Sequence, residues 1–259
     1  MKLENATIST RTIAVRARPL VIEPGRAPDP CSSCGARVDS ICGSIDEEDL
    51  SRLAAVAVVT EVEAGKTFVN EGDPAEDFFN ITAGTTKIYK LLPDGRLQIT
   101  GFAQAGMFLG LAVSQTYAFS AEAITPVRYC RFPRRKLQAL LNDFPALERS
   151  LLQTASNELV AAQEQMLLLG RKTARERLAS FLCLRAEGGL PCAHGDNHVD
   201  LPMSRVDIAD FLGLTIETVS RTFTRLKQEG LIALPSNSRV DLLDHDGLRE
   251  VAGGFDSGA

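Results

Sequence analysis

The sequence predicts an α+β chain: a β jelly-roll barrel, one long helix, and a small C-terminal domain in which two short helices precede a β-wing. Three observations predict it. Between about Thr60 and Pro133, short β-branched and aromatic runs alternate with glycines at turn-like intervals, namely Gly65, Gly72, Gly84, Gly95, Gly106 and Gly110. A seam of Leu147, Leu151, Ala155, Leu159, Ala162, Met166 and Leu169 then repeats in steps of three and four, which is helical spacing sustained over many turns. Finally, two capped amphipathic stretches flank Gly213, and two short apolar runs follow them.

At 259 residues the chain exceeds the usual size of one domain, so two or three units are expected. Hydrophobic residues make up 44% and charged residues 24%, an ordinary globular balance. The net charge of -5 argues against general coating of nucleic acid or of an anionic membrane, so any DNA contact must be confined to one element. No apolar run is long enough to span a bilayer, and the first thirty residues hold no stretch of signal-peptide length; a cytoplasmic protein with no membrane partner is expected. In such a compartment the six cysteines, Cys31, Cys34, Cys42, Cys130, Cys183 and Cys192, suit ligands, redox sensors or small buried hydrophobes better than a disulfide framework.

Residues 1–45 divide into an arm without helical or strand period, expected to be mobile, and the cysteine segment. An Arg-rich targeting peptide is the alternative reading of the arm. Within "CSSCGARVDSIC" the spacing is Cys-x2-Cys-x7-Cys. Residues 46–143 form the barrel, with "PDG" at 93–95 as a hairpin turn, since Pro presets the first turn dihedral and Gly accepts a positive one. Such barrels often hold ligands, but the barrel can also be plain scaffold. Residues 144–170 form the long helix, with Pro145 in its first turn and Gly170 at its end. Its seam can pack on its own barrel or on a second copy of the chain, and its length favours a homodimer.

Residues 171–259 carry the clearest local chemistry. Ser204 is placed to cap a first helix, with Asp207 three residues on completing a capping box. Val206, Ile208, Ala209 and Leu212 are expected inward, and Gly213 suits a sharp turn. Thr215 caps a second helix that Gly230 stops, and Leu231–Leu234 with Arg239–Leu243 make the wing. Two short helices about a glycine turn are a helix-turn-helix. On the second helix Glu217, Ser220 and Arg221 share a face near the N-terminal end, which is the end that enters a major groove. Arg can grip guanine with two bonds, Glu can accept from cytosine N4, and Ser can bond either way. Thr215, Thr218, Thr222, Arg225 and Lys227 are candidate phosphate anchors. An exposed helix face with an i, i+4 Glu–Arg pair is the plainer reading, which the neighbouring capped helix and wing outweigh.

These residues resemble the Crp/Fnr superfamily of bacterial transcription regulators over almost the whole chain from Cys31. The order of barrel, dimer helix and winged helix-turn-helix is the superfamily's, and "LGLTIETVSRTFTRLKQEGLI" is similar to its recognition element. The barrel is therefore expected to be like a cyclic-nucleotide-binding domain. Glu217 followed by Ser220 and Arg221 looks like the FNR branch; the cyclic-AMP receptor branch has Arg and Gly where this chain has Ile216 and Ser220. The resemblance implies a double-stranded operator with the inverted repeat TTGAT-N4-ATCAA and RNA polymerase as a further partner. A cyclic-nucleotide pocket needs an Arg–Ser pair for the phosphate, and "GMFLGLAVSQTYAFSAEA" offers no Arg, so nucleotide sensing is not expected.

The resemblance also implies a fourth ligand. "PVRYCRFPRRKLQALL" is similar to the segment that carries the distant cluster ligand in FNR proteins, which makes Cys130 the partner of Cys31, Cys34 and Cys42 and implies one [4Fe–4S] cluster per chain, with molecular oxygen as signal. The last spacing is seven residues, as in FnrN- and FixK-like relatives, where the enterobacterial pattern has five, so oxygen sensitivity does not carry over. The acidic residue that disfavours pairing of the cluster-free form in the FNR pattern falls here on Ala162, with Glu158 and Glu164 nearby. Two alternatives stay open: a structural zinc site or thiol redox switch in the same regulator, and a ligand-binding module or enzyme that binds no DNA. Against an enzyme, the sequence shows no nucleophile elbow, no phosphate loop, and only three histidines, all C-terminal. Cys183 is expected to be a buried hydrophobe, and "CAHGDNH", with Cys192, His194 and His198, a solvated loop.

Overall fold

The structure, a computed structural model, describes residues 31–111, 114–188 and 198–253; the expected N-terminal arm, Cys192 and His194 lie outside the described residues. The barrel comprises β1 (Val58–Val62), β2 (Thr67–Val69), β3 (Asp77–Ala83), β4 (Thr85–Leu91), β5 (Leu97–Gln104), β6 (Phe108–Leu109), β7 (Ser120–Ala123) and β8 (Val127–Pro133). They make two antiparallel four-stranded sheets, ordered β1-β8-β3-β6 and β2-β7-β4-β5. Between them lies a core of Val69, Phe79, Ile81, Ala103, Leu109, Ala121, Ala123, Val127 and Tyr129. Gly84 turns β3 into β4 at φ +85°, with the Pro126 carbonyl so near that a Cβ would meet its oxygen at 2.2 Å.

The alternation of strand side chains gives the first sheet two dissimilar faces. Phe79, Ile81, Val127 and Tyr129 point into the barrel core. Phe78, Cys130 and Phe132 join a separate outer cluster with Ile41, Cys42, Ile45, Leu53, Leu137, Leu147 and Leu151. That outer face is covered by the cysteine segment, by α1 (Leu50–Ala54), by α2 (Arg134–Leu141) and by the start of α3 (Pro145–Arg171). Sequence periodicity does not mark α1 or α2 as helices.

Helix α3 spans Pro145–Arg171, one residue C-terminal of the expected 144–170 at each end, and its seam is divided. Leu147 and Leu151 are buried in their own chain's outer cluster, and Leu169 packs partly against the C-terminal domain. Leu151 is thus taken up internally and corrects the expectation that it faces a partner. Leu152 replaces it: Leu152, Leu159 and Met166 are 68%, 62% and 72% exposed, with Ala155 and Ala162 exposed between them. Those five positions follow a heptad's alternation of four and three, the spacing of a two-helix seam.

The C-terminal domain comprises α4 (Ala174–Gly188), β9 (His198–Asp200), α5 (Arg205–Leu212), α6 (Ile216–Gln228), β10 (Ile232–Ser236), β11 (Arg239–Leu242) and α7 (His245–Ala252). The wing is a three-stranded sheet ordered β10-β11-β9, so His198 begins a strand and does not belong to a solvated loop. Cys183 is half-buried against the domain core. That core also contains Tyr89 and Ile99 from β4 and β5, and Phe102 of β5 lies with Phe181 and Phe211 in an aromatic group at centroid separations of 6.2, 5.3 and 5.6 Å. Polar contacts cross the same boundary. Lys87 of β4 reaches Asp207 at 3.3 Å and Glu122 at 3.0 Å, and Gln98 donates to the Asp210 carbonyl at 2.6 Å.

Candidate DNA interface and cysteine site

The capping chemistry builds the helix-turn-helix. Ser204 Oγ accepts from the Asp207 backbone N–H at 3.1 Å while Asp207 accepts from the Ser204 N–H at 2.9 Å, satisfying two otherwise orphaned donors. Gly213 ends α5 in the left-handed region at φ 61°, which an L side chain adopts only at a cost. Thr215 Oγ1 accepts from the Thr218 N–H at 3.3 Å and starts α6. Val219, Phe223 and Leu226 turn inward, and the Arg205 guanidinium lies 3.5 Å from the Phe223 ring centroid, which clamps α5 onto α6.

Turning that face inward exposes the opposite one, where Thr215, Glu217, Ser220, Arg221 and Arg225 all lie at the surface, with Thr218 half-buried. The Glu217 carboxyl is held below its ordinary range by a hydrogen bond from its own backbone N–H, then by the Thr215 hydroxyl and the Arg221 charge. Arg221 donates to Thr218 Oγ1 at 3.4 Å, a long contact that leaves most of its fork available. Arg225 pairs with Glu229 at 3.0 Å. Two expectations are corrected. Thr222 is only 7% exposed and its hydroxyl donates to the Thr218 carbonyl at 2.7 Å, so it cannot anchor a phosphate. Val206 is 51% exposed and lies outside the core, where Phe211 takes the inward place.

At the other end of the molecule, backbone N–H groups of Cys34, Arg37, Ser40 and Gly43 each donate to the carbonyl three residues earlier, coiling residues 31–43 through successive turns. Ser40 accepts from the Cys42 N–H at 3.3 Å, and Arg37 donates to the Ile45 carbonyl at 2.9 Å. The coil sits on the turn at Gly106, where a Cβ would meet the Asp39 carbonyl oxygen at 2.9 Å. Cys31, Cys42 and Cys130 are buried and Cys34 half-buried, and none of the four is in a disulfide.

Cys42 and Cys130 share the outer apolar cluster. Burial pushes the Cys130 thiol up to about 11, and Cys42 and Cys34 lie near enough to raise it further. Burial likewise raises Cys42, the Ser40 hydrogen bond opposing it and Cys34 adding to it. The fold therefore brings Cys34 and Cys42 to Cys130, with Cys31 one turn before Cys34. Among the described residues no three His, Cys, Asp or Glu side chains close to metal-ligand spacing, so the thiols converge without enclosing a point. As a donor set, converging thiols suit a soft metal ion or an iron–sulfur group.

One side chain of this site has no signal in the sequence. Asn80 is 1% exposed, lies opposite Cys130 in the β3–β8 register, and donates from Nδ2 to Cys42 Sγ at 3.9 Å.

A barrel pocket of about 340 Å³ is lined by Phe68, Phe79, Tyr117 and Tyr129 with Asp73, Glu76, Asp77 and Arg131. Arg131 pairs with Asp77 at 3.4 Å, and three carboxylates are poor company for a phosphate.

Residues 59–144 match the cyclic nucleotide-binding domain, and residues 176–251 match the Crp-like helix-turn-helix domain. The chain is 42% identical to the nitrogen fixation regulation protein FixK of Bradyrhizobium diazoefficiens, over 83% of this chain and 90% of that one. It is 36% identical to the transcriptional activator protein FnrL of Cereibacter sphaeroides, over 86% and 92%. The solved structure of FixK2 from Bradyrhizobium japonicum covers 79% of this chain and 99% of its own, with a TM-score of 0.71 at 34% identity. Such relatives are regulators of transcription and not enzymes. With both domains matched in order around the helix that joins them, and with relatives aligned over most of their length, the chain belongs to the Crp/Fnr family of DNA-binding transcriptional regulators.

Proposed function

We propose that the protein is an oxygen-responsive transcriptional regulator that binds a TTGAT-N4-ATCAA inverted repeat as a homodimer under low oxygen and acts through RNA polymerase. In this reading Cys31, Cys34, Cys42 and Cys130 hold one [4Fe–4S] cluster. The observation that carries it is the meeting of Cys42 and Cys130, distant in sequence, in one apolar cluster beside Cys34. A bound cluster would supply an oxygen-labile link between the cysteine segment and β8.

The chain's residues make that link consequential. Ile41, Cys42 and Ile45 pack in the same cluster as Leu147 and Leu151 at the base of α3. The position of the cysteine segment therefore bears on the first turns of the helix whose exposed seam would meet a second copy. A homodimer presents two copies of α6 related by a two-fold axis, which suits an inverted repeat. On α6, Arg221, Glu217 and Ser220 would read base edges, while Thr215, Thr218 and Arg225 would position the helix on phosphates.

The test is iron, acid-labile sulfide and zinc content, with a visible spectrum, on protein purified without oxygen. About four irons and four sulfides per chain with a colour that air bleaches are expected. One zinc without colour would overturn the cluster and leave a zinc-bearing regulator. Gel shift with the TTGAT-N4-ATCAA duplex tests the operator separately.

A further inference from the structure

We propose that Asn80 is a positioning residue of the cysteine site, its side-chain amide donating to the Cys42 sulfur and favouring that sulfur in its ligand-bound, negatively charged form. The inference rests on reading the cysteines as a metal–thiolate site. Strand alternation makes the placement firm: Phe78 and Asn80 face outward from the barrel, Phe79 and Ile81 face inward, and Asn80 stands opposite Cys130 on the neighbouring strand. The surroundings on that face are apolar, with Phe78, Phe108, Phe132 and Leu53 in the same cluster as the two cysteines.

An amide in such a place is an expensive choice. Asn80 is 1% exposed, and its Oδ1 has no hydrogen-bond partner among the described groups. A buried, unsatisfied carbonyl opposes folding, and Leu, with the same branched heavy-atom skeleton, would occupy the place without that cost. The partner that the side chain does reach is Cys42 Sγ, at 3.9 Å. A neutral thiol gains little from a donor at this distance. A sulfur whose proton has been released to water on binding a cation carries charge, and hydrogen bonds to charged acceptors are roughly twice as strong. The amide thus discriminates between the empty and the loaded site, and hydrogen bonds to ligand sulfurs are among the terms that set the redox behaviour of such centres.

The experiment compares the full-length wild type with Asn80→Leu and Asn80→Ser, purified without oxygen. Two quantities are read: the thermal midpoint of the metal-free protein, and the rate at which the visible chromophore is lost in air or to a chelator. We expect Asn80→Leu to unfold no earlier than wild type, yet to lose its chromophore about 10-fold faster, with Asn80→Ser, which keeps an O–H donor, recovering part of the difference. A chromophore in Asn80→Leu with wild-type lifetime would overturn the assignment. Should Asn80→Leu fail to fold, Asn80→Ser against Asn80→Ala carries the same comparison. If the wild type holds no iron, the cluster reading fails by itself; the variants are then loaded with Co2+, whose thiolate charge-transfer band must shift for the Asn80 assignment to survive. Protein whose cysteines take up neither iron nor cobalt overturns both.

Discussion

Shortening Leu159 to Ala should separate the dimer while leaving each chain intact. Leu159 is 62% exposed in the single chain, in a seam with Leu152, Ala155, Ala162 and Met166 that no part of the chain covers among the described residues. The substitution deletes three carbons, each worth about 0.8 kcal/mol when fully covered. Scaled to the exposed fraction, the loss is about 1.5 kcal/mol per chain, and about 3 kcal/mol per dimer because both copies change. At about 1.4 kcal/mol per decade the dimer Kd should rise about 100-fold. Sedimentation equilibrium gives this directly, and Asn157→Ala, on the opposite helix face, serves as the control. Thermal unfolding of the dilute monomer should be unchanged. A Leu159→Ala Kd within about threefold of wild type, or an equal loss in Asn157→Ala, would refute the seam as the interface.

Arg221→Ala should weaken operator binding about 10- to 100-fold, worth about 1–3 kcal/mol at one base pair, and relax preference at that position when tested with single-base variants of the duplex. Gly84→Ala should cost about 2–4 kcal/mol in urea denaturation, because the residue sits at positive φ and its Cβ would meet the Pro126 carbonyl. Lys87→Met should cost about 1–2 kcal/mol by removing the bridge to Asp207 and Glu122. Burial lowers the Lys87 pKa, but Glu122 and Asp207 outweigh it and hold it above 10.5. Burial raises Asp207, but the Ser204 and Lys87 hydrogen bonds outweigh that and hold it below 3.8. The Lys87 contribution is therefore full below its unfolded pKa and lost as pH rises through the raised one; that of Asp207 is full above 3.8 and lost as pH falls through the lowered one. The difference between wild type and Lys87→Met should accordingly stay flat through neutral pH and shrink only at strongly acid or alkaline values.

What was legible from sequence was the chemistry that acts over a few residues. Ser204 with Asp207, Gly213 and Thr215 mark a capped helix, a left-handed turn and a second cap wherever they stand in space. Which face of a helix turns inward is a different matter, because neighbouring elements decide it. Val206 and Thr222 depart from the sequence expectation for that reason, and Leu151 packs on its own barrel while Leu152 continues the seam. Strand β9 is three residues long and exists by pairing with β11, so no local period could announce it. Resemblance alone linked Cys130 to the other cysteines, since strand register, which no spacing encodes, puts Cys130 on the outward face of β8. Asn80 within "DFFNITA" reads as one polar residue in an apolar strand, and only its register partner gives it a meaning.

The core of the C-terminal domain borrows Tyr89 and Ile99 from the barrel. A boundary drawn near residue 171 is therefore a seam in the sequence but a cut through a shared interior. Excised as a fragment, the DNA-binding part would lose the wall that those two side chains and Phe102 provide, and would present Phe181 and Phe211 to water. Barrel and reader share one interior, so a displacement of β4 and β5 would press on the same core that Val219, Phe223 and Leu226 of the recognition helix pack into.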